Sequence, residues 1–211
     1  MRGKVDECWD ECCYNWGEWK YCLLCLGIVV AIVLIVVFVA AFGFVRHIDV
    51  SVDDASLTRF ELATSPVTSL SYNLSVTLVI RNPNWAMSLK NTKPLEAQYK
   101  FDDQMFDRFQ LADKGDKHPA GKTRVYHIAP PGTTSSVMLG NAGEAEFRKE
   151  NATGTFQVEV AVAGEVRYTA RYTKCKIQAS CPLKLQLAPP GTAAVVFQKV
   201  TCKLAKAEKN C

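Results

Sequence analysis

The amino-acid sequence predicts a mainly β protein in which a single N-terminal transmembrane helix precedes one antiparallel β-sandwich. Two observations lead to this prediction. Residues 21–45 contain no charged residue and no proline, and several segments after residue 46 alternate apolar with polar side chains. Alternation with one polar face is typical of antiparallel strands, and short strands at this density indicate a sandwich. We expect a cytosolic Cys/Trp-rich tail at 1–20, a membrane helix at 21–45 and an external domain at 46–211.

The apolar segment is long enough to cross a bilayer. Its 25 residues would form a helix roughly 37 Å long, against a hydrocarbon core of about 30 Å. The alternative is a cleaved signal peptide, but the apolar part of a signal peptide usually has only about 7–15 residues. The length suits a thick membrane such as the plasma membrane.

Charges and glycosylation motifs predict the orientation. The basic residues before the segment are Arg2, Lys4 and Lys20, whereas the fifteen residues after it hold Arg46 and Arg59. This distribution weakly favours a cytosolic N-terminus. Two Asn-x-Ser/Thr motifs, at Asn73 and Asn151, follow the segment and would be glycosylated only outside the cytosol. We therefore expect a single-pass type II protein of the plasma membrane, with the endoplasmic reticulum as the alternative location.

The cysteines lie at the two ends of the chain, with none between residues 26 and 174. Near the C-terminus are Cys175, Cys181, Cys202 and the terminal Cys211. In an oxidising compartment we expect one disulfide between two of Cys175, Cys181 and Cys202, with free buried thiols as the alternative.

The N-terminal cysteines favour attachment of the tail to the membrane surface. Cys12, Cys13 and Cys22 lie near the apolar segment, where cysteines are often palmitoylated. Unmodified thiols are the first alternative. A zinc site formed by Cys8, Cys12, Cys22 and Cys25 is a weaker one, because Cys22 and Cys25 already lie within the apolar segment.

The elements of the external domain follow from its alternation and its turn residues. The clearest strands are 48–52, 73–80, 95–101, 156–162 and 166–172, and we expect a turn at Gly164 between the last two. Asn73 falls on the polar face of its strand. Residues 141–150 predict a short helix capped by Asn141. The sequence APPGT occurs at Ala129–Thr133 and again at Ala188–Thr192, which we interpret as one type of turn used twice rather than as an internal duplication.

Positive charge is concentrated near the C-terminus. Residues 46–173 hold fifteen basic and fifteen acidic residues, whereas residues 174–211 hold seven lysines and one glutamate. The lysines are Lys174, Lys176, Lys184, Lys199, Lys203, Lys206 and Lys209. They could bind an anionic surface, either acidic polysaccharide or lipid headgroups. The alternative is protection of a strand at the edge of a sheet against aggregation. Nucleic acid is not an expected partner.

No catalytic motif is recognisable. The three histidines, His47, His118 and His127, lie in no hydrolase or metalloprotease motif, and no nucleotide-binding loop is present. A group of aspartates could bind calcium, but its spacing matches no known calcium loop: Asp102, Asp103, Asp107, Asp113 and Asp116. We expect no cofactor and no enzymatic activity.

Asn82-Pro83-Asn84 follows an apolar strand, where the residue before proline favours a turn. Together with the single membrane segment, the alternating LEAQYKFDDQMF at 95–106 and the late VTCKL at 200–204, this motif resembles the plant NDR/HIN-like (harpin-induced-like) family. The resemblance covers residues 20–204. It implies a late-embryogenesis-abundant type 2 domain with a fibronectin-III-like sandwich, a plasma-membrane location, a role in pathogen or stress responses, and no enzymatic activity.

Three functions remain open at this point. The first is a membrane-anchored interaction protein of plant defence or stress responses, with protein partners still to be identified. The second is a tether that joins the plasma membrane to an anionic wall or membrane through the C-terminal lysines. The third is a lipid-binding sandwich, which needs a cavity in the core.

Overall fold

The structure is a computed structural model that describes residues 19–42, 45–64, 68–169, 174–188 and 196–205. The chain forms two compact units, an N-terminal helical unit and a β domain. The helices are α1 (Trp19–Phe42) and α2 (Gly140–Thr153). The strands are β1 (Asp49–Ala63), β2 (Ser69–Arg81), β3 (Leu89–Asn91), β4 (Leu95–Phe101), β5 (Gln104–Ala112), β6 (Lys117–His118), β7 (Thr123–Ile128), β8 (Thr133–Ser136), β9 (Thr155–Tyr168), β10 (Lys174–Gln186), β11 (Val200–Thr201) and β12 (Lys203–Leu204).

The predicted apolar helix is confirmed, and it begins slightly earlier than the sequence suggested. Trp19–Ala40 has a mean hydropathy of 3.5, and by length and composition it could cross a membrane. Its apolar side chains are exposed around the whole helix, as Leu34 and Val36 illustrate. A helix that is apolar on every side and uncovered by protein needs an apolar environment.

The β domain is a two-sheet antiparallel sandwich, as predicted. The first sheet has the strand order β11-β1-β2-β7, and β8 pairs with β2 beyond the end of β7. The second sheet has the order β12-β10-β9-β3-β6; β4 also pairs with β9, and β5 pairs with β4. The long strands β2 and β9 therefore organise one sheet each.

Burial follows the alternation that predicted these strands. On β2 the buried side chains are Leu70, Tyr72, Leu74, Val76, Leu78 and Ile80, and the residues between them face outward. On β9 they are Phe156, Val158, Val160, Val162, Val166 and Tyr168. Burying such a side chain stabilises the fold by about 1.5–3 kcal/mol relative to leaving it exposed, so the two inward faces specify the register of both sheets.

The predicted turn at Gly164 is wrong. Strand β9 continues through Gly164, which lies opposite Ile177 of β10. A Cβ atom at Gly164 would lie 2.7 Å from Cδ1 of Leu95. The glycine therefore provides space for a neighbouring side chain, and glycines in strands often have this role.

The helix predicted at 141–150 exists, but its capping was predicted wrongly. It begins at Gly140, so Asn141 is its second residue and not its cap. Leu139 occupies the N-cap position, and its side chain makes no capping hydrogen bond. The helix continues to Thr153 and ends at Gly154 in the left-handed conformation. Phe147 packs against both Phe60 and Phe156, with ring centroids at 5.7 and 5.5 Å. These rings fill the end of the sandwich farther from Arg46.

The C-terminal segment joins the free edges of the two sheets. Val200 and Thr201 pair with β1 of the first sheet, and Lys203 and Leu204 pair with β10 of the second. Between them, the amide of Cys202 donates to the carbonyl oxygen of Val50 at 2.9 Å. Cys202 also forms a disulfide with Cys181 of β10. The five residues 200–204, together with one disulfide bond, thus close this side of the sandwich.

Removing this disulfide is expected to destabilise the β domain. In the double variant Cys181→Ala, Cys202→Ala the unfolded chain gains the freedom of a loop of 21 residues, which corresponds to about 3 kcal/mol of unfolding free energy. Urea denaturation of wild type and variant would measure the difference. An unchanged midpoint would show that the strand pairing of 200–204 holds the sheets together without the bond.

Candidate functional site

The family motif Asn82-Pro83-Asn84 lies at the end of β2 and forms a buried hydrogen-bond network. The Asn82 side chain is fully buried, and its Nδ2 donates to the carbonyl oxygens of Met87 at 2.9 Å and Pro119 at 3.2 Å. Its Oδ1 accepts from the backbone N and the Nδ2 of Asn84, at 3.1 and 3.0 Å. All four hydrogen-bonding positions of this amide, two donors and two acceptor lone pairs, are thus in use.

Asn84 connects this network to the first residues of the domain. Its Oδ1 accepts from the backbone N of Arg46 at 2.8 Å, and its Nδ2 donates to the carbonyl oxygen of Arg46 at 2.7 Å. The hydroxyl of Tyr168 donates to the same carbonyl at 3.3 Å. The backbone N–H and the carbonyl oxygen of Arg46 are therefore both bonded inside the domain. In the sequence, Arg46 lies four residues after the end of α1.

The loop between β6 and β7 completes the network. The carbonyl oxygen of Lys122 accepts from the backbone N of Asn82 at 2.9 Å and from Nε2 of His118 at 2.9 Å. His118 is buried, and burial lowers the pKa of its imidazole. We call Arg46, Asn82, Asn84, His118 and Lys122 the leader junction.

The leader junction explains why amide side chains stand at these positions. An asparagine offers a donor and an acceptor on one short side chain. In the junction, the Nδ2 and the Oδ1 atoms of each asparagine bond to groups that are buried or half-buried. The sequence indicated a turn at this motif but gave no sign of its bonds with Arg46 and Pro119. Those partners lie 38 and 37 positions from their asparagines in the numbering, so no local pattern could have identified them.

The C-terminal lysines do not form one surface among the residues that the structure describes. Lys174, Lys176 and Lys184 project from the outer face of β10, but Lys184 stands eight residues beyond Lys176, about 27 Å along the strand. Lys199 is bonded to Asp53 on the first sheet at 2.9 Å. Lys203 is exposed on β12, and Lys206 and Lys209 lie outside the described residues.

Both glycosylation motifs are exposed. Asn73 lies on β2 between the residues that pair with β7 and those that pair with β8, and the first APPGT loop connects these two strands along the same edge of β2. The chain does not reverse direction at this loop. The first APPGT copy therefore connects two strands that follow one another along one edge of β2, and it is not a turn between antiparallel neighbours. Asn151 is exposed near the end of α2. The second APPGT lies mostly outside the described residues.

The predicted cysteine sites divide between described and undescribed parts of the chain. The structure pairs Cys181 with Cys202, and Cys175 is buried and also disulfide-bonded. Cys22 lies in α1 and is half-buried. Cys12 and Cys13, like Cys8, lie outside the described residues, so palmitoylation stays a prediction.

The aspartates between 102 and 116 have separate roles. Asp102 and Asp103 both have positive φ and form the two-residue turn of the β4–β5 hairpin. Asp107 accepts from the hydroxyl of Tyr72, and Asp116 is bonded to Arg124. Within the described ranges, no group of three or more His, Cys, Asp or Glu residues is arranged to hold a metal ion.

Two cavities bear on ligand binding. One, lined by residues that include His47, Tyr168 and Ile177, holds about 60 Å³, far below the roughly 300–1,000 Å³ of sites for drug-sized ligands. The other is an open groove of about 420 Å³ whose lining includes Arg59, Phe60 and Glu61.

The comparisons with known proteins place the chain among plant relatives. It is 32% identical over 83% of its length to NDR1/HIN1-like protein 10 of Arabidopsis thaliana, and it covers 81% of that protein. It is 26% identical over 72% of its length to NDR1/HIN1-like protein 3 of the same plant, covering 64% of it. No family model matches the chain. A solved structure of a protein from Archaeoglobus fulgidus aligns with 65% of the chain at a TM-score of 0.31 and 7% identity, which is too low to support any argument.

Replacing the amide of Asn82 by a carboxylate is expected to destabilise the domain strongly. Asn82→Asp removes both donated bonds and turns a buried negative charge toward the carbonyls of Met87 and Pro119, at a cost of about 3–5 kcal/mol. Asn73→Asp, the same substitution at an exposed position of the same strand, should change stability by less than about 0.5 kcal/mol. Melting temperatures of both variants, produced without glycosylation, would measure this. Equal melting temperatures would contradict the role of the junction.

The leader junction is expected to weaken in mild acid through His118. Because burial lowers its pKa below the unfolded value of about 6.5, the unfolded state binds a proton more readily than the folded state. This contribution to stability is complete above pH 6.5 and is lost as the pH falls below that value toward the folded pKa. His118→Gln keeps a donor toward Lys122 but cannot titrate. Urea denaturation between about pH 5 and 7 should show a shallower loss of stability in the variant, and parallel profiles would contradict the assignment.

Proposed function

Because the chain belongs to the NDR1/HIN1-like family, we propose that it is a membrane-anchored, non-enzymatic interaction protein of plant defence or stress responses. One observation supports this most directly. A helix that could span a membrane is followed within four residues by Arg46, whose two backbone groups are bonded into the leader junction. In the sequence, only three residues separate the helix from this bonded residue.

The proposal of a non-enzymatic role is supported by how the buried polar side chains are used. Five polar or charged residues are buried in the described part of the domain: Asn82, Asn84, Asn91, His118 and Glu150. Each bonds a backbone group of the chain itself, as Glu150 does with the amide of Gln157 at 3.0 Å. Their hydrogen-bonding capacity maintains the fold, which leaves the outer surfaces of the sheets for contacts with protein partners.

We further propose a type II orientation in the plasma membrane, with the β domain outside the cell and the endoplasmic reticulum as the alternative location. The exposed positions of Asn73 and Asn151 support it, since both could carry glycans without disturbing the core. The disulfide of Cys181 and Cys202 supports it as well, because such bonds persist in oxidising compartments.

The orientation can be tested by glycosylation. The full chain, expressed in plant cells and treated with an endoglycosidase, should gain gel mobility, and the double variant Asn73→Gln, Asn151→Gln should already run at the faster position. Protease added to intact cells should remove an epitope at the C-terminus. If the epitope were cleaved only after the membrane was opened, with no mobility shift, the domain would be cytosolic and the proposed orientation would be wrong.

A further inference from the structure

The outer face of the second sheet carries a row of four basic residues on neighbouring strands. Lys90 of β3 lies directly opposite Lys117 of β6 on one side and Arg167 of β9 on the other. Arg167 in turn lies opposite Lys174 of β10. All four are exposed. At about 4.8 Å between strands the row is roughly 14 Å long. We call Lys117, Lys90, Arg167 and Lys174 the cross-strand row.

This arrangement is unfavourable for the domain alone. Like charges directly opposite each other on neighbouring strands are destabilising. Lysines are common on edge strands, where they prevent pairing with other chains, and that reason could account for Lys117 on the outermost strand β6. It cannot account for Lys90 and Arg167, because β3 and β9 lie in the interior of the sheet.

Little negative charge lies beside the row. Glu165 is bonded to Thr92 and forms ion pairs with Lys93 at 3.7 Å and Lys174 at 3.9 Å. In the part of the chain that the structure describes, Lys90, Lys117 and Arg167 form no ion pair within 4.0 Å. Lys176, two residues after Lys174 and exposed on the same face, lies directly opposite Glu165 of β9.

The same face is electrically mixed farther along its strands. Lys100 of β4 lies opposite Glu159 of β9, and Glu96 forms an ion pair with Arg108 at 3.6 Å. Positive charge is therefore concentrated at one end of the face. That end is next to Tyr168, which follows Arg167 and bonds the carbonyl of Arg46 in the leader junction.

We propose that the cross-strand row binds a linear acidic polysaccharide, whose successive carboxylates lie along the four cations. This inference rests on the external location proposed above. A straight row on a flat face suits an extended chain better than a small ligand, which would need a pocket. Arg167 can hold a carboxylate through two parallel hydrogen bonds, and the lysines act as point charges. Each contact is weak at an exposed surface, and the affinity comes from several contacts to one polymer.

The test uses the full chain in nanodiscs of uncharged lipid, with immobilised polygalacturonate as the probe and neutral dextran as the blank. The row variant is Lys90→Gln, Lys117→Gln, Arg167→Gln. The matched control, Lys184→Gln, Lys199→Gln, Lys203→Gln, loses the same charge from C-terminal lysines away from the row. Melting temperatures of both variants verify that they are folded.

The wild type should bind polygalacturonate, more weakly as salt rises from about 50 to 200 mM. The row variant should bind about tenfold more weakly, and the control within about twofold of wild type. Absence of binding, or equal losses in both variants, would overturn the proposal. So would row-dependent binding to phosphatidylserine vesicles in place of polygalacturonate, since the ligand would then be a lipid surface. None of these results bears on the proposed membrane anchoring. A cytosolic domain in the glycosylation experiment would instead contradict the external location on which the polysaccharide proposal rests.

Discussion

The buried amides of Asn82 and Asn84 are the constraint on which the start of the β domain depends. They bond the first residues of the domain at Arg46, the segment after β2 at Met87, and the loop between β6 and β7 at Pro119. No shorter or apolar side chain could supply donors and acceptors to these three segments at once. A buried polar group without a partner costs about 1–3 kcal/mol, so the network is stable only when all of its members are present.

A second constraint acts at the end of the chain. The segment 200–204 pairs with both sheets, and the bond between Cys181 and Cys202 fixes it to β10. The closing segment is bonded near the start of the domain, because Cys202 bonds the backbone of Val50, only four residues after Arg46 in the sequence. The first and last described segments of the domain are thus held side by side.

The sequence alone was sufficient for elements with a long local pattern, whereas the short capping pattern at Asn141 misplaced the start of α2 by one residue. The unbroken apolar segment predicted α1, and the alternation in 73–80 and 156–162 predicted the centres of β2 and β9. Prediction failed where a residue depends on a neighbour that is distant in sequence. Gly164 was predicted to form a turn because the sequence gives no sign of its contact with Leu95. The C-terminal lysines were predicted to act together, although Lys199 bonds to Asp53 of the first sheet. The row escaped notice because its members lie on four strands between residues 90 and 174.

The most direct test of the leader junction is amide hydrogen exchange at Arg46. The Arg46 N–H donates to the side chain of Asn84, so in the full chain in micelles it should exchange slowly, as the amides of β9 do. In Asn84→Ala this amide should exchange far faster relative to that of Val160, a fully buried position in β9. An Arg46 amide that exchanges freely in the wild type, or that keeps its protection in Asn84→Ala, would contradict the claim that this asparagine fixes the start of the domain.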